Sequence, residues 1–130
     1  MTNEQLQLIQ ELKSELISRG FEVYNDNYGG NGVKLVKNGD YEVQKEKFFS
    51  KFKNEELEIT RFKGYSIIIG EVYRHNGTQE NVSCFIRAVF WQNNVGSTLK
   101  DVKISQKDGA RKRQNAINKI VEAYKEAVKD

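Results

Sequence analysis

The sequence predicts an α+β fold: an antiparallel sheet of about five or six hairpin-connected strands, flanked by an N-terminal and a C-terminal helix. Three observations predict it. Apolar residues at helical spacing are confined to the two ends of the 130-residue chain. Alternating, strand-like runs fill the middle. Those runs are punctuated by Asn38-Gly39 and Asn76-Gly77, and Asn-Gly is a strong hairpin signal because both central residues of a type I′ turn need positive φ.

The first helix rests on Leu8, Ile9, Leu12 and Leu16, with Leu6 and Ile17 flanking that face. Thr2 or Asn3 caps it, and Gly20 stops it by taking the left-handed conformation cheaply. Phe21 and Val23 begin a short strand. Asn25 to Gly32 reads as a turn or flexible loop, built from residues that tolerate positive φ. Val33 to Lys37 and Asp40 to Gln44 flank Asn38-Gly39 and are expected to pair. Lys45 to Asn54 fits two readings: Phe48, Phe49 and Phe52 on one face of a short helix, or a continued strand.

Leu57, Ile59 and Phe62 suggest a strand broken at Lys63-Gly64. Tyr65 to Arg74 and Gln79 to Trp91 are strands joined at Asn76-Gly77. That turn sets Ile69 opposite Cys84, Ile67 opposite Ile86 and Tyr65 opposite Ala88, a face that with Val82 forms the expected core. The other face mixes Ile68, Val72, Phe85 and Val89 with Ser66, Ser83, Arg74 and Arg87. It is too apolar to lie bare and too polar for a sealed core. Gln92 to Thr98 reads as a loop, and Leu99, Val102 and Ile104 as a short strand or as residues that merely pack against the sheet. Ser105 and Asp108 have capping-box spacing. Ala110, Ile117, Ile120, Val121, Tyr124 and Val128 form the stripe of the last helix.

The length suits a single α+β domain over residues 1–130. One cysteine, Cys84, excludes an internal disulfide, and its strand context suits a small buried hydrophobe. The chain begins with no signal-like segment and has no apolar run near the roughly 20 residues that span a bilayer, so a cytoplasmic protein without membrane contact is expected. A net charge of +3 neither demands nor excludes nucleic acid. The absence of proline and the wealth of Lys, Asn, Glu and Ile suggest an AT-rich source, such as a low-GC bacterium or its phage. No cofactor is implied. The single histidine, His75, handicaps two-histidine acid–base chemistry and His-rich zinc sites, so a non-catalytic role is expected.

Three groups of residues are candidates for binding. Lys107, Arg111, Lys112 and Arg113 crowd the start of the last helix, with Lys103 just upstream. Cations there cost roughly 0.3–1 kcal/mol each when exposed, so their concentration points to an anion, such as a nucleic-acid backbone, or to a partner surface. The plainer reading is an ordinary solvated face, with Arg113 snorkelling across the apolar stripe. Arg74, Phe85, Arg87 and Trp91 share a sheet face that is able to stack bases and hold phosphates, to pack against another element or to form a dimer. Tyr28 is a candidate loop anchor. Asp40 with Glu71 faintly resembles a Mg²⁺-nuclease carboxylate pair.

The expected function is a small intracellular binding protein that engages a nucleic acid or a nucleic-acid-handling protein. A phage or mobile-element inhibitor of a host defence nuclease is one instance. Direct nucleic-acid binding through the basic helix start, a Mg²⁺-dependent nuclease and a structural homodimer are the alternatives.

Overall fold

Two terminal helices flank a six-stranded antiparallel sheet, as the sequence predicts. The structure is a computed structural model that describes residues 3–29, 31–72, 83–105 and 107–129. In chain order the elements are α1 (Asn3–Ser18), β1 (Glu22–Tyr28), β2 (Gly32–Val36), β3 (Tyr41–Ser50), β4 (Glu55–Glu71), β5 (Ser83–Gln92), β6 (Val95–Ser105) and α2 (Ala110–Lys129). Arg74, His75, the Asn76-Gly77 turn, Val82 and Thr2 lie outside the described residues. The strands lie in the order β1-β2-β4-β5-β6, and β3 also pairs with β4.

The 17-residue strand β4 organises the sheet. β2 pairs with its residues 67–69 and β3 with its residues 55–64. Asn38-Gly39 therefore does not make the expected hairpin: β2 and β3 lie end to end along the same edge of β4. Gly39 does turn the chain, at φ 90°, and the Asp40 N–H donates to the Lys37 carbonyl at 3.0 Å. The turn is a jog, however. From Leu35 to Tyr41 the chain advances six residues while its partners, Ile67 and Gly64, differ by three. Two bonds pin the jog: the Tyr65 N–H donates to the Asp40 carbonyl at 2.8 Å, and the Tyr124 hydroxyl donates to Asp40 Oδ2 at 2.7 Å.

The β4–β5 register also differs from expectation. Ile69 faces Ile86, Ile67 faces Ala88 and Tyr65 faces Phe90, a slip of two residues. An even slip keeps every side chain on its face, so the predicted core survives. The expected loop over 92–98 shrinks to Asn93-Asn94, whose φ of 49° and 68° suit a type I′ turn. β6 then runs eleven residues, with a bulge at Leu99 where the partners step from Lys100 to Thr98. Asn25 to Tyr28, expected in a loop, continues β1 with two register breaks.

Residues 45–54 are strand and turn, not helix. β3 and the first half of β4 form a two-stranded arm, in which Phe48 pairs with Leu57 and Phe49 with Glu56. Phe49 is 60% and Phe52 98% exposed, so the aromatic run points outward at the arm's tip. Asn94 ties the arm's base to the body. It accepts from the Phe62 N–H at 2.6 Å and donates to the Thr60 carbonyl at 2.8 Å.

Both helices cover one sheet face. Leu8, Ile9, Leu12 and Leu16 of α1, with Ala116, Ile117, Ile120, Val121 and Tyr124 of α2, are buried against Val33, Leu35, Ile67, Ile69, Cys84, Ile86, Ala88 and Ile104. Leu6 and Ile17 flank the stripe and are exposed, as is Ala110, which the sequence placed on the buried face. Gly20, at φ 95°, lets the Phe21 N–H reach the Leu16 carbonyl, and the Phe21 ring packs edge-on to Tyr124. Burial pushes the Cys84 thiol up to about 11, which suits a packing residue rather than a nucleophile. No helix among the described residues is long and apolar enough to cross a membrane.

Candidate functional site

The helices leave the second sheet face to other residues. Antiparallel register aligns side chains there in cross-strand rows. One row is Lys34, Ile68, Arg87 and Asp101, contributed by β2, β4, β5 and β6. Beside it run Gly70–Phe85–Lys103, Ser66–Val89–Thr98 and Gly64–Trp91–Gly96. The glycines lay the aromatic rings flat. A Cβ on Gly70 would stand 2.4 Å from the Phe85 ring, and one on Gly96 would stand 3.1 Å from that of Trp91.

Half of this face is covered around Lys34, which is only 3% exposed. Its ammonium lies 4.0 Å from the Trp91 ring centroid, 4.5 Å from Tyr41, 4.9 Å from Phe62, 5.4 Å from Tyr24 and 5.5 Å from Tyr28. It donates to the Tyr41 hydroxyl at 2.6 Å, and no carboxylate pairs with it among the described residues. Burial lowers the lysine to about 8, while the negative ring faces favour the charged form. The same burial pushes the Tyr41 phenol well up, with Tyr24 and Tyr28 adding to it. The Trp91 indole N–H donates to Ser66 Oγ at 2.7 Å, which fixes the ring.

The other half is an open groove of about 490 Å³, lined by Tyr28, Ile68, Phe85, Arg87, Val89 and Trp91 among others. The Arg87 guanidinium stacks 4.4 Å from the Phe85 centroid. Its Nη2 reaches Asp101 at 3.4 Å, and its buried Nε has no hydrogen-bond partner among the described residues.

The structure thus brings Phe85, Arg87 and Trp91 together, as the sequence suggested, but both rings already carry a cation of the chain itself: Arg87 on Phe85 and Lys34 on Trp91. Tyr28 lies at the end of β1 as a groove wall, not in a free loop. Lys103 stands opposite Phe85 on this face rather than among the helix cations. The sequence reading missed Lys34, although a lysine inside Val33-Lys34-Leu35-Val36 is the signal of a cation placed on an otherwise apolar strand.

At the start of α2, Lys107, Arg111 and Lys112 are exposed. Ser105 and Asp108 close the turn before the helix: the Ser105 N–H donates to Asp108 Oδ2 at 2.9 Å, and the Lys107 N–H to Ser105 Oγ at 3.2 Å. The Ser105 N–H bond, with Lys112 beside it, holds the Asp108 carboxyl below its ordinary value. Lys112 pairs with Asp108 at 3.0 Å, and Arg113 pairs with Glu11 of α1. Arg113 therefore joins the two helices, and acids temper the basic cluster.

Asp40 and Glu71 do not meet. Asp40 sits beside Tyr65, and Glu71 lies six residues further along β4, about 20 Å at strand rise. That separation removes the paired-carboxylate site. Among the described residues no group of three or more His, Cys, Asp or Glu is placed to hold a metal ion. Comparison with family models, with curated proteins and with solved structures finds no match for this chain.

Proposed function

We propose that this chain is a small non-catalytic binding protein whose surface engages a nucleic acid or a protein that handles one. The observation that supports this most is the position of Lys103. It stands opposite Phe85 on the open sheet face, two residues before the end of β6, where the chain turns into Lys107 and then α2. Arg87 and Lys103 thus give the open face two cations, and Lys107, Arg111 and Lys112 gather three more at the start of α2. A phosphodiester backbone laid over either group meets more than one positive charge. The narrower reading, an inhibitor of a host defence nuclease carried by a phage or mobile element, draws only on composition and small size.

The test is a salt titration of binding to labelled single- and double-stranded oligonucleotides. Wild type is compared with a variant carrying Lys103→Ala, Lys107→Ala, Arg111→Ala and Lys112→Ala; Arg113 is kept because it joins the helices. The expected result is affinity that falls steeply with salt, with a slope shallower in the variant by about 0.9 per lost phosphate contact on the duplex and about 0.7 on the single strand. No binding at low salt rejects direct nucleic-acid contact and turns the search to protein partners by affinity capture.

A further inference from the structure

We infer that the groove on the second sheet face accepts one nucleotide unit, a flat base with its phosphate, and that Arg87 holds the phosphate. The inference rests on the nucleic-acid reading and narrows it to unpaired nucleotides. The volume of about 490 Å³ falls within the range of roughly 300–1,000 Å³ typical of small-ligand pockets. It holds a base and sugar, and it does not admit a duplex, whose bases stay stacked unless flipped out.

Most of the lining fits that chemistry, and the Glu71 carboxylate is the one opposing charge among the lining residues. Ile68 and Val89 form an apolar floor, and Tyr28 and Trp91 bring flat aromatic walls. Gly29 also lines the groove, and a Cβ there would meet nothing within 4 Å, so a ligand approaches the backbone closely at that point. Lys34 already sits on Trp91 and Arg87 on Phe85, so the base buries its face on the Ile68 and Val89 floor.

Arg87 is the group that recognises the phosphate. Its guanidinium is presented by the Phe85 ring; among the described residues its one polar partner is Asp101 at 3.4 Å, and its Nε has none. A phosphate exchanges the long Asp101 contact for charge-assisted bonds while the guanidinium stays on the Phe85 ring. Lys103, in the adjoining row, adds a second cation to this face.

Trp91 is the only tryptophan in the chain and lines the groove, so its fluorescence reports occupancy directly. The experiment titrates adenosine monophosphate, a short oligo-dT and a duplex of equal length. Trp91 emission is read alongside anisotropy of the labelled oligonucleotides. The expected result is saturable quenching by the monophosphate or the single strand and none by the duplex. Quenching by the monophosphate identifies a free nucleotide as sufficient; quenching by the strand alone identifies the strand as the ligand.

Arg87→Ala weakens this binding at least tenfold and Arg87→Lys by less. Thr98→Phe, an exposed position at the groove rim, blocks it by filling space without changing charge. Thermal unfolding confirms that each variant is folded, and Thr98→Phe carries the test if Arg87→Ala is not. Anisotropy binding that is lost in the Lys103/Lys107/Arg111/Lys112 variant while Trp91 stays silent overturns the groove inference and leaves the broader reading standing. Absence of binding to all three probes overturns both.

Discussion

Gly64→Ala is expected to lower the unfolding free energy by about 3–5 kcal/mol, among the largest effects of any single methyl added to this chain. Gly64 has φ 119°, a conformation that side chains rarely adopt. A Cβ there would stand 2.1 Å from the Asp40 carbonyl oxygen and 2.9 Å from the Tyr41 Cα. Both obstacles are backbone, so no rotamer change relieves them. Asp40 cannot retreat either: its carbonyl accepts from the Tyr65 N–H, and its carboxylate accepts from the buried Tyr124 hydroxyl. The methyl therefore breaks the jog between β2 and β3 or displaces α2 from the sheet.

Gly39→Ala is the matched control. Its φ is 90°, but a Cβ there meets nothing within 4 Å, so only backbone strain of about 1–2 kcal/mol is expected. Urea unfolding of the two variants separates strain from collision. Equal losses would mean that the close approach at Asp40 is not what requires glycine at position 64.

The same jog shows what the sequence can and cannot convey. Helix faces were legible because Leu8, Ile9, Leu12 and Leu16 repeat at a period that depends only on local geometry. The buried face of β4 and β5 was legible because alternation survives any even error of register. The pairing partner of β2 was not. Asn38-Gly39 specifies a turn, but whether that turn reverses the chain or offsets it along β4 depends on Gly64, 25 residues later in sequence. β6 was underestimated because Asn93-Asn94 lacks glycine, although both asparagines adopt positive φ. The arm was ambiguous for another reason: Phe48, Phe49 and Phe52 suit a helix face equally well, and their exposure is a tertiary fact. Phe85, Arg87 and Trp91 were recognisable as one face by alternation alone. Lys34 was not, because its cage takes rings from β1, β3, β4 and β5.

Lys34 gives the second large effect, and its size depends on pH. Lys34→Ala empties the cage and leaves the Tyr41 hydroxyl without its donor, at an expected cost of about 3 kcal/mol. Lys34→Met keeps most of the side-chain stem and isolates the charge. In the folded chain the ammonium titrates near 8, against 10.5 when unperturbed. Between those values the unfolded chain binds more protons than the folded one, so stability rises with pH. The contribution is complete above the unfolded value and is lost as pH falls through about 8. The shift sets an upper limit of about 3 kcal/mol, reduced by the pull of the ring faces on the cation.

Cys84 acts with the opposite sign from about pH 9 upward, because burial raises its thiol, and Tyr41 and Tyr124 do so at still higher pH. Those groups are common to both proteins, so the difference between wild type and Lys34→Met removes them. Urea unfolding at intervals from pH 7 to 9.5 is expected to show wild type gaining on the variant by about 1–2 kcal/mol. A difference that stays flat across that range would mean that the ammonium is not held in the cage as described. Because the same amine sits over Trp91, its loss of charge also changes the field at the indole. The folded protein's fluorescence should therefore titrate near pH 8 in wild type and not in Lys34→Met, which ties the covered half of this face to the wall of the open groove.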